Sequence, residues 1–453
     1  MTMNKILSIT LLCAIAVAFT GCAGEEDDLF SSSAAERLDE SKSLYTERLE
    51  SSPAGWVMEY YPTNNSNTDD VSSLGYLLLA RFDQDGMVRM AMNNTFSNNA
   101  FLEDESAWEV IADNGPVLTF NTYNNCIHAF CDPGQVSLPG TELGRGAEGD
   151  YEFVVINLDD NAEYGMFKGK KRGTYIRFTR LEDGTDYQTY LSDVQTFTNT
   201  MFPSTAPNMC VVTLGDSVMS MANASSGIPN IYPYGGDPIQ QESYHPFLIT
   251  KHNDRYYLRF RDAMNAPDGT EAQEFVYDEE NDIFTGVENP EFTVAGENPA
   301  TFFTQAMEDG NTWQLNRNCD MSDDFLALYD AVRTGFSAVR YTFNYLTWSM
   351  QDGQLQCILN YRPQRGGAVN IAYNFDFTQS ESGATLSYTG PVDNSGANVL
   401  AAIPAITDLF NAFNGEYDIT AGTTKFNLTN IRLSKGDNSW FVPMFNPLLL
   451  KHQ

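Results

Sequence analysis

Residues 75–92 read GYLLLARFDQDGMVRMAM, two apolar runs joined by the pair Asp85-Gly86. An Asp-Gly pair between two such runs is typical of a β-hairpin, because glycine tolerates the positive φ that a tight turn requires. We therefore predict two antiparallel strands, at 75–82 and 87–92. Similar short runs recur along most of the chain, so this hairpin indicates the character of the whole fold.

The other strands and helices follow from the same kind of pattern. Strands are predicted at 56–61, 116–123, 151–158, 174–179, 256–260, 274–277, 339–345, 355–361 and 369–377. Helices are predicted at 34–49, 187–201, 299–309 and 322–335, where apolar residues recur at helical spacing or caps are recognisable. The predicted fold class is mostly β with a few helices, multi-domain, its antiparallel sheets packed as a sandwich or an open barrel.

Changes of pattern along the 453 residues predict the domain organisation. Ordinary domain sizes suggest two or three domains for this length. The predicted division is a signal peptide at 1–21, a lipidated acidic tether at 22–32, a helix plus β domain at 33–183, a helical linker at 184–204, a middle β-rich domain at 205–320 and a C-terminal α+β domain at 321–453.

The N-terminus predicts a lipid anchor. Lys5 precedes an apolar run at 6–19, which is too short to span a bilayer and is typical of a signal peptide. It ends in Phe19-Thr20-Gly21-Cys22, which resembles a bacterial lipobox, although Phe19 stands where leucine is usual. Cys22 is therefore the predicted lipid attachment site, and several acyl chains on it would hold the protein stably on a membrane. Ordinary secretion with cleavage nearby is the alternative.

The residues after Cys22 bear on the location. Residues 25–28 are Glu-Glu-Asp-Asp, and Ala23 is not the aspartate that resembles an inner-membrane retention signal. The acidic run resembles the surface-export signal of some Gram-negative lipoproteins, so we predict a lipid-anchored outer-membrane protein on the cell surface. A solvated charged tether, with the protein on the periplasmic face, is the alternative.

Composition excludes some functions. The chain carries 60 acidic and 26 basic side chains, a formal net charge of -34, so nucleic acid is not a predicted partner. Aromatic residues make up 13% of the chain, which favours folded cores over disorder. Beyond the signal peptide, no apolar run is long enough to span a membrane.

Cysteine spacing gives no firm disulfide or metal prediction. Without the signal peptide and Cys22, five cysteines remain, an odd number that cannot pair completely within one chain. They are Cys126, Cys131, Cys210, Cys319 and Cys357. His128 lies between the first two, but the chain has no second ligand pair with zinc spacing. Neither a metal nor a cofactor is predicted.

Four segments resemble the domain-of-unknown-function family 4302, a group of outer-membrane lipoproteins. They are 35–38 with 53–62 (AERL and PAGWVMEYYP), 115–124 (GPVLTFNTYN), 149–153 (GDYEF) and 168–173 (KGKKRG). The matches cover about the first 180 residues. The resemblance implies an outer-membrane setting, often beside transporter and binding-lipoprotein pairs that import glycans or peptides. It implies no known activity and carries over no catalytic residues.

The segment 168–180 is basic in an acidic protein and is the first candidate site. Its cations are Lys168, Lys170, Lys171, Arg172, Arg177 and Arg180. They predict either a hairpin tip paired with the protein's own carboxylates or a docking site for an anionic partner. The loop 231–247 is the second candidate, because tyrosine offers sugars or peptides a flat apolar face and a hydroxyl. Its candidate ligand residues are Tyr232, Tyr234, Tyr244 and His245, and an ordinary packed loop is the alternative.

No catalytic motif is recognisable in the sequence. The anchor, the resemblance and this absence predict a binding or accessory subunit of a glycan or peptide nutrient-acquisition system. An outer-membrane transporter or a binding lipoprotein is the predicted partner. The alternative is a lipid-anchored, glycosidase-like hydrolase, whose two facing carboxylates the sequence cannot select among 60 acids.

Overall fold

A computed structural model describes residues 33–113, 115–161, 163–204, 209–236, 240 and 242–445. The predicted signal peptide, Cys22 and the acidic tether lie outside the described residues. The predicted fold class is confirmed: the protein is mostly β, and its sheets are antiparallel. The described chain forms three successive units, each an α-helix followed by eight strands.

The first unit is helix α1 followed by a closed barrel in which each strand pairs with the next and β8 returns to β1. Its elements are α1 (Ala34–Glu50), β1 (Trp56–Tyr60), β2 (Tyr76–Phe82), β3 (Met87–Met92), β4 (Leu102–Asp113), β5 (Gly115–Phe120), β6 (Glu152–Leu158), β7 (Tyr164–Gly169) and β8 (Tyr175–Arg180). The predicted hairpin is β2–β3, and Gly86 in its turn has a φ of 76°. Helix α1 begins with a capping box, in which the Ser33 side chain accepts from Glu36 N and the Glu36 side chain accepts from Ser33 N.

The middle unit is helix α2 with an eight-stranded sheet in which β9 pairs with β16, so that β11 and β12 lie at the two ends. Its elements are α2 (Tyr187–Met201), β9 (Met209–Leu214), β10 (Ser217–Ala222), β11 (Asn230–Pro233), β12 (Phe247–His252), β13 (Arg255–Asn265), β14 (Glu271–Asp278), β15 (Ile283–Gly286) and β16 (Thr293–Gly296). Three backbone hydrogen bonds of 2.8 to 3.1 Å join the segment 227–231 to the segment 243–247. These bonds link the two ends of the sheet, although β11 and β12 are not themselves neighbouring strands.

The third unit is a closed barrel in which β24 returns to β17 and three helices are inserted between strands. Its elements are α3 (Pro299–Glu308), β17 (Thr312–Asn316), α4 (Asp323–Ala338), β18 (Tyr341–Gln351), β19 (Gln354–Pro363), β20 (Val369–Gln379), β21 (Gly383–Pro391), α5 (Asn394–Ala402), α6 (Ala405–Ala412), β22 (Gly415–Ala421), β23 (Asn430–Lys435) and β24 (Asn438–Phe445). By strand pairing, α3 and β17 belong to this barrel, whereas the predicted division at 320/321 places them with the middle domain.

The three units pack together. Val57 and Leu79 on the first barrel share a hydrophobic core with α2 and the middle sheet, because alternate residues of a strand face opposite sides. Phe426 of the third unit enters the same core. The Asp282 carboxylate of the middle unit accepts hydrogen bonds from Thr424 Oγ1 at 2.7 Å and from Lys425 N at 2.6 Å.

Candidate functional site

The connection between β5 and β6, residues 121–151, covers one end of the first barrel. A short 3₁₀ turn, His128–Phe130, places the Phe130 ring inside, 4.9 Å from the Tyr60 ring, 4.8 Å from the Tyr76 ring and 4.2 Å from the Phe96 ring. Burial of Phe130 removes its apolar surface from water and so fixes this long connection on the barrel. The polar and aromatic residues around the turn are thereby held in fixed positions.

Three rings stack on the outside of this connection, and we call them the aromatic stack. The His128 ring lies between Tyr123, with ring centroids 5.2 Å apart, and Tyr151, with centroids 5.0 Å apart. The interplanar angles are 30° and 29°. Tyr123 is 59% exposed and Tyr151 is 43% exposed, so much of both rings faces solvent. Exposed, rigid tyrosine rings are suited to contacting a sugar or peptide.

Hydrogen bonding defines the state of His128. The backbone N–H of Asn124 donates to His128 Nδ1 at 3.1 Å, so Nδ1 is the acceptor and the neutral ring carries its proton on Nε2. Burial lowers the pKa of His128 below 6.5, so that the neutral form predominates at pH 7. The stack therefore presents two tyrosine faces and one N–H donor.

A cavity of about 370 Å³ adjoins the stack at Tyr151. Its charged lining comes from the β5–β6 connection, from the start of β6 and from the tip of the β7–β8 hairpin: Arg145, Glu148, Asp150, Glu152, Lys171 and Arg172. Cys131 also lines it, but burial raises the pKa of this thiol to about 12, so the thiol stays protonated at neutral pH and is a poor nucleophile.

The charges in this cavity are mostly paired with one another. Arg172 donates to the Glu148 carbonyl at 2.9 Å and to Glu148 Oε1 at 2.6 Å, while Arg145 Nε lies 3.1 Å from Glu148 Oε2. Burial acts to raise the pKa of Glu148, but the two arginines outweigh it and the pKa is lowered. Glu148 adopts a φ of 59°, a conformation that is uncommon for a residue with a long side chain.

Asp150 holds the hairpin tip in place. Its Oδ1 accepts a hydrogen bond from Lys171 N at 3.1 Å, and its Oδ2 accepts one from Arg172 N at 2.8 Å. Burial raises the pKa of Asp150, against the effect of these two bonds. Both carboxylate oxygens are therefore engaged in positioning the backbone of the basic segment.

The six predicted cations of the segment 168–180 do not lie together. Lys168 lies over the Tyr175 ring at 5.2 Å, and Lys170 Nζ lies 3.1 Å from Asp113 and 3.2 Å from Glu152. Arg180 bonds to Ser51 and lies over the Trp56 ring at 4.9 Å. The Lys171 side chain is exposed and has no carboxylate at ion-pair distance among the described residues.

Arg177 is separate from the hairpin tip and is buried between the first barrel and the middle sheet. It is 7% exposed, and its Nη1 lies 2.5 Å from Glu274 Oε1. Glu59, which is 1% exposed, accepts from Arg259 Nη1 at 2.8 Å and lies 3.9 Å from Arg177 Nε. The Tyr164 ring covers the Arg177 guanidinium at 3.7 Å, beside a cavity of about 430 Å³. We call Glu59, Arg177, Arg259 and Glu274 the buried charge cluster.

The four residues of the predicted ligand loop occupy different environments. Tyr232 is buried on β11 and Tyr234 is exposed. Tyr244 forms an isolated bridge with Asn230, and His245 Nε2 lies 2.9 Å from Ser243 Oγ, both within the connection that links the end strands of the middle sheet. Residues 237–239 and 241 of this loop lie outside the described residues. Tyr232 therefore cannot contact a ligand without local opening, whereas Tyr234 can.

The cysteines among the described residues form neither a disulfide nor part of a metal-ligand cluster. All five cysteines there are free thiols, and no group of three or more potential metal ligands occurs among the same residues. Cys126 is buried, with its Sγ 3.5 Å from the Met90 carbonyl, and burial raises its pKa to about 12. In the part of the chain that the structure covers, no helix is long and apolar enough to cross a membrane.

Sequence reasoning did not nominate the aromatic stack. Tyr123 and Tyr151 occur at the two ends of a long connection and His128 in its middle, so their proximity depends on how that connection folds. The available signal was an aromatic residue at each end of the longest strand-to-strand connection of the first barrel.

Comparison with known proteins places the chain in a family. The sequence profile named domain of unknown function (DUF4302) matches residues 26–279, more than half of the 453 residues. The chain therefore belongs to this family. No curated protein matches it.

Some solved structures show a weak likeness. The chain is similar to the DNA polymerase III β sliding clamp of Bartonella birtlesii at 9% identity, covering 90% of this chain and 98% of that chain, with a TM-score of 0.13. The DNA polymerase sliding clamp of Pseudomonas aeruginosa gives 11% identity, 91% and 98% coverage and a TM-score of 0.14. TM-scores this low carry no inference for this chain.

Proposed function

We propose that this DUF4302 protein is a ligand-binding lipoprotein of the outer membrane, lipid-anchored at Cys22 and displayed on the cell surface. It acts as a binding or accessory subunit of a nutrient-acquisition system for glycans or peptides. Its partner is an outer-membrane transporter or a second binding lipoprotein. The lipobox-like residues before Cys22 and the acidic run at 25–28 support the anchor and the location.

The aromatic stack is the observation that carries the binding proposal. Two exposed tyrosine rings are held rigidly against His128, so little conformational entropy is lost when a ligand contacts them. The adjoining cavity of about 370 Å³ supplies hydrogen-bonding groups around this apolar surface. A flat aromatic surface beside polar groups is typical of sites for sugars and for peptide side chains.

A carboxylate-based hydrolase is the second candidate. Glu148 and Asp150 line one cavity, and their pKa values are moved in opposite directions, as in acid and base pairs of glycosidases. However, both Asp150 oxygens accept backbone hydrogen bonds, and Glu148 is held by two arginines. These engagements favour a structural role, so binding is the function we put first.

The binding proposal is tested by screening the full-length protein against glycans and peptides and then measuring affinity. Tyr123→Ala and Tyr151→Ala are each expected to weaken capture roughly tenfold, about 1.4 kcal/mol, because each removes one exposed ring. Tyr175→Ala is the matched control, since Tyr175 is exposed but lies outside the stack. If all three variants bind with the affinity of the wild type, the aromatic stack is not the ligand-binding site.

The hydrolase alternative has its own test. Glycan and peptide substrates are incubated with the wild type and with Asp150→Asn and Glu148→Gln, and products are measured. Turnover that is abolished in both variants while folding is retained would favour the hydrolase. Binding without turnover favours the accessory subunit.

The anchor is tested by replacement of Cys22. Cys22→Ser is expected to abolish incorporation of a fatty-acid probe and to release the protein from the membrane fraction. Unchanged incorporation would refute the anchor. Replacement of residues 25–28 by alanine is expected to make the protein less accessible to added protease on intact cells. Accessibility equal to that of the wild type would mean that these residues are a charged tether and not an export signal.

A further inference from the structure

The backbone ladder that links the two ends of the middle sheet stops while β12 continues. Its hydrogen bonds recur at every second residue: Ile231 N to Ser243 O, His245 N to Pro229 O and Phe247 N to Gly227 O. The next step of the same ladder would pair Ile249 with Ser225. At that point the chain instead forms a 3₁₀ turn, Ala224–Ser226, and leaves the strand. The ladder therefore ends at Phe247, whereas β12 runs on to His252.

The register of β12 with β13 shows which backbone groups of β12 face outward. Arg261 N donates to Pro246 O at 2.7 Å, and the hydrogen-bonded positions of an antiparallel pair recur at every second residue. The even-numbered residues of β12 therefore bond to β13. The N–H and C=O groups of Phe247, Ile249 and Lys251 consequently point away from β13, toward the outer edge of the strand.

Part of this outer edge has no partner in the described chain. The Phe247 carbonyl and the N–H and C=O of Ile249 form no hydrogen bond with any described residue. At Lys251 the edge is covered, because the Tyr190 hydroxyl donates to its carbonyl at 2.9 Å and accepts from its N–H at 3.1 Å. Ile249 is 3% exposed, so water reaches its unpaired backbone groups poorly, which is unfavourable. We call residues 247–249 the open edge of β12.

A groove of about 300 Å³ runs along the open edge. It touches Phe247, Leu248 and Ile249, whose side chains alternate between the two faces of β12, so the groove lies at the edge of the strand and not on one face. Its walls are residues 74–77, the loop after β3 (Asn93, Asn94, Thr95, Asn99), the turn at 224–227 and one side of α2 (Leu191, Val194, Gln195, Thr198, Asn199). The first barrel and the middle unit thus form the groove together.

The lining of the groove is uncharged. None of its 20 residues is Asp, Glu, Lys, Arg or His, although 19% of the chain is charged. Asn93 Nδ2 donates to Gln195 Oε1 at 3.2 Å, which joins the first barrel to α2. Asn199, on the next turn of α2, is exposed and forms no hydrogen bond with any described residue. An ionised ligand would lose hydration here without gaining an ion pair, so the groove favours an uncharged one.

We propose that an extended, uncharged peptide segment binds in this groove by strand addition to β12. Its backbone N–H and C=O groups continue the ladder at the open edge, where they bond to the Phe247 carbonyl and to both groups of Ile249. The open edge presents acceptor, donor and acceptor at the spacing of a peptide backbone, and a sugar does not reproduce that spacing. This site rests on the geometry of β12 and does not depend on the aromatic stack.

The test uses the full-length protein and a library of acetylated, amidated heptapeptides made from uncharged residues. The wild type is expected to capture members of this library, with an affinity that does not depend on salt because no ion pair forms. The backbone amides of the tightest binder are then N-methylated one at a time. Binding is expected to fall roughly tenfold at alternate positions only, because alternate N–H groups of an added strand face β12.

Two variants of α2 form a matched pair. Asn199→Trp places an indole in the groove and is expected to weaken capture of the tightest binder roughly tenfold. Thr196→Trp places the same ring at an exposed position of the same helix that does not line the groove, and it is expected to bind as the wild type does. Y123A/Y151A is also expected to bind unchanged, which distinguishes this site from the aromatic stack. The N-methylation pattern is measured on the wild type, so it decides the case even if Asn199→Trp is unstable.

Several results would overturn the proposal. They are no capture of the library by the wild type, an equal loss at every N-methylated position, and an equal loss in Asn199→Trp and Thr196→Trp. Self-association of the wild type that Asn199→Trp abolishes, without peptide capture, would assign the open edge to a second copy of this chain. Capture of dextran that Asn199→Trp abolishes, without peptide capture, would assign the groove to a neutral sugar and refute the peptide.

Discussion

The hairpin tip of the first barrel and one end of the third barrel both carry several cations, but their surroundings differ. In the third barrel the cations are Arg340, Arg362 and Arg365, which are exposed, and we call this surface the arginine end. At the tip, Lys170 lies at ion-pair distance from Asp113 and Glu152, and Arg172 from Glu148. At the arginine end, none of the three guanidiniums has a carboxylate within that distance among the residues described. The cations of the hairpin tip are therefore mostly neutralised by the protein's own carboxylates.

This difference shows that a run of cations in a sequence does not indicate free positive charge. Ion-pair partners can be distant along the chain: Arg177 bonds to Glu274, 97 residues away, and Glu59 bonds to Arg259, 200 residues away. Conversely, Arg340 and Arg362 are separated by a whole hairpin in sequence, and strand pairing alone brings them to the same end of the third barrel. Free charge is thus a property of the sheet register and not of the local sequence.

Removal of a charge from the buried charge cluster is expected to give the largest effect. Glu59→Gln removes the carboxylate that lies 2.8 Å from the buried Arg259, while Arg177 keeps Glu274. The unpaired charge on Arg259 is expected to lower the free energy of unfolding by about 3 kcal/mol. Denaturant unfolding measures it. Glu103→Gln is the control, because its partner Arg89 is well exposed and such pairs contribute about 0 to 1 kcal/mol. Equal stability of both variants would mean that the cluster does not hold the first two units together.

The hairpin tip is expected to give a smaller effect. Arg172→Ala removes two hydrogen bonds to Glu148 in a partly exposed place and is expected to cost about 1 kcal/mol of unfolding free energy. Lys171→Ala, whose side chain is exposed, is expected to stay within about 0.5 kcal/mol of the wild type. If Lys171→Ala instead weakens capture of an anionic partner with stability unchanged, the docking role predicted for this segment gains support.

The pH dependence of stability distinguishes the two regions further, because the aromatic stack contains a histidine and the arginine end does not. Burial lowers the pKa of His128, so the unfolded chain binds this proton more readily than the folded protein. The contribution of His128 is therefore complete above the unfolded pKa of about 6.5 and is lost as the pH falls through the lower, folded pKa. Melting temperatures of the wild type and His128→Gln should converge as the pH is lowered. A difference between the two melting temperatures that does not change with pH would contradict the lowered pKa of His128.

Local parts of the fold could be predicted from the sequence. The Asp85-Gly86 turn and the Ser33 and Asn298 caps are short-range features whose chemistry is complete within a few residues. Closure of the barrels could not be predicted, because β1 pairs with β8 across more than 100 residues. Likewise the predicted domain division at 320/321 falls just before α4, because the sequence does not show that this helix is inserted between two strands of one barrel.

The candidate sites were less predictable than the fold. The basic segment was visible because its cations are adjacent in sequence, but its partners were not. The aromatic stack joins Tyr123, His128 and Tyr151 through the path of one connection, and the arginine end depends on the β18–β19 register. Each of these arrangements is set by tertiary packing, on which single-sequence patterns carry no information.

The smallest effect on stability is expected at the arginine end, and it tests the comparison directly. Gln364→Glu places a carboxylate between Pro363 and Arg365, in imitation of the paired hairpin tip. The site is exposed, so the unfolding free energy is expected to change by no more than about 0.5 kcal/mol.

Gln364→Ala is the matched control, and denaturant unfolding measures both variants. Because Arg362 and Arg365 have no carboxylate at ion-pair distance among the described residues, a glutamate at position 364 is expected to be at least as stable as the alanine. A clear loss of stability in the glutamate variant alone would mean that the new carboxylate is repelled by other acidic groups. The arginine end would then not be the free cationic surface that distinguishes the third barrel from the first.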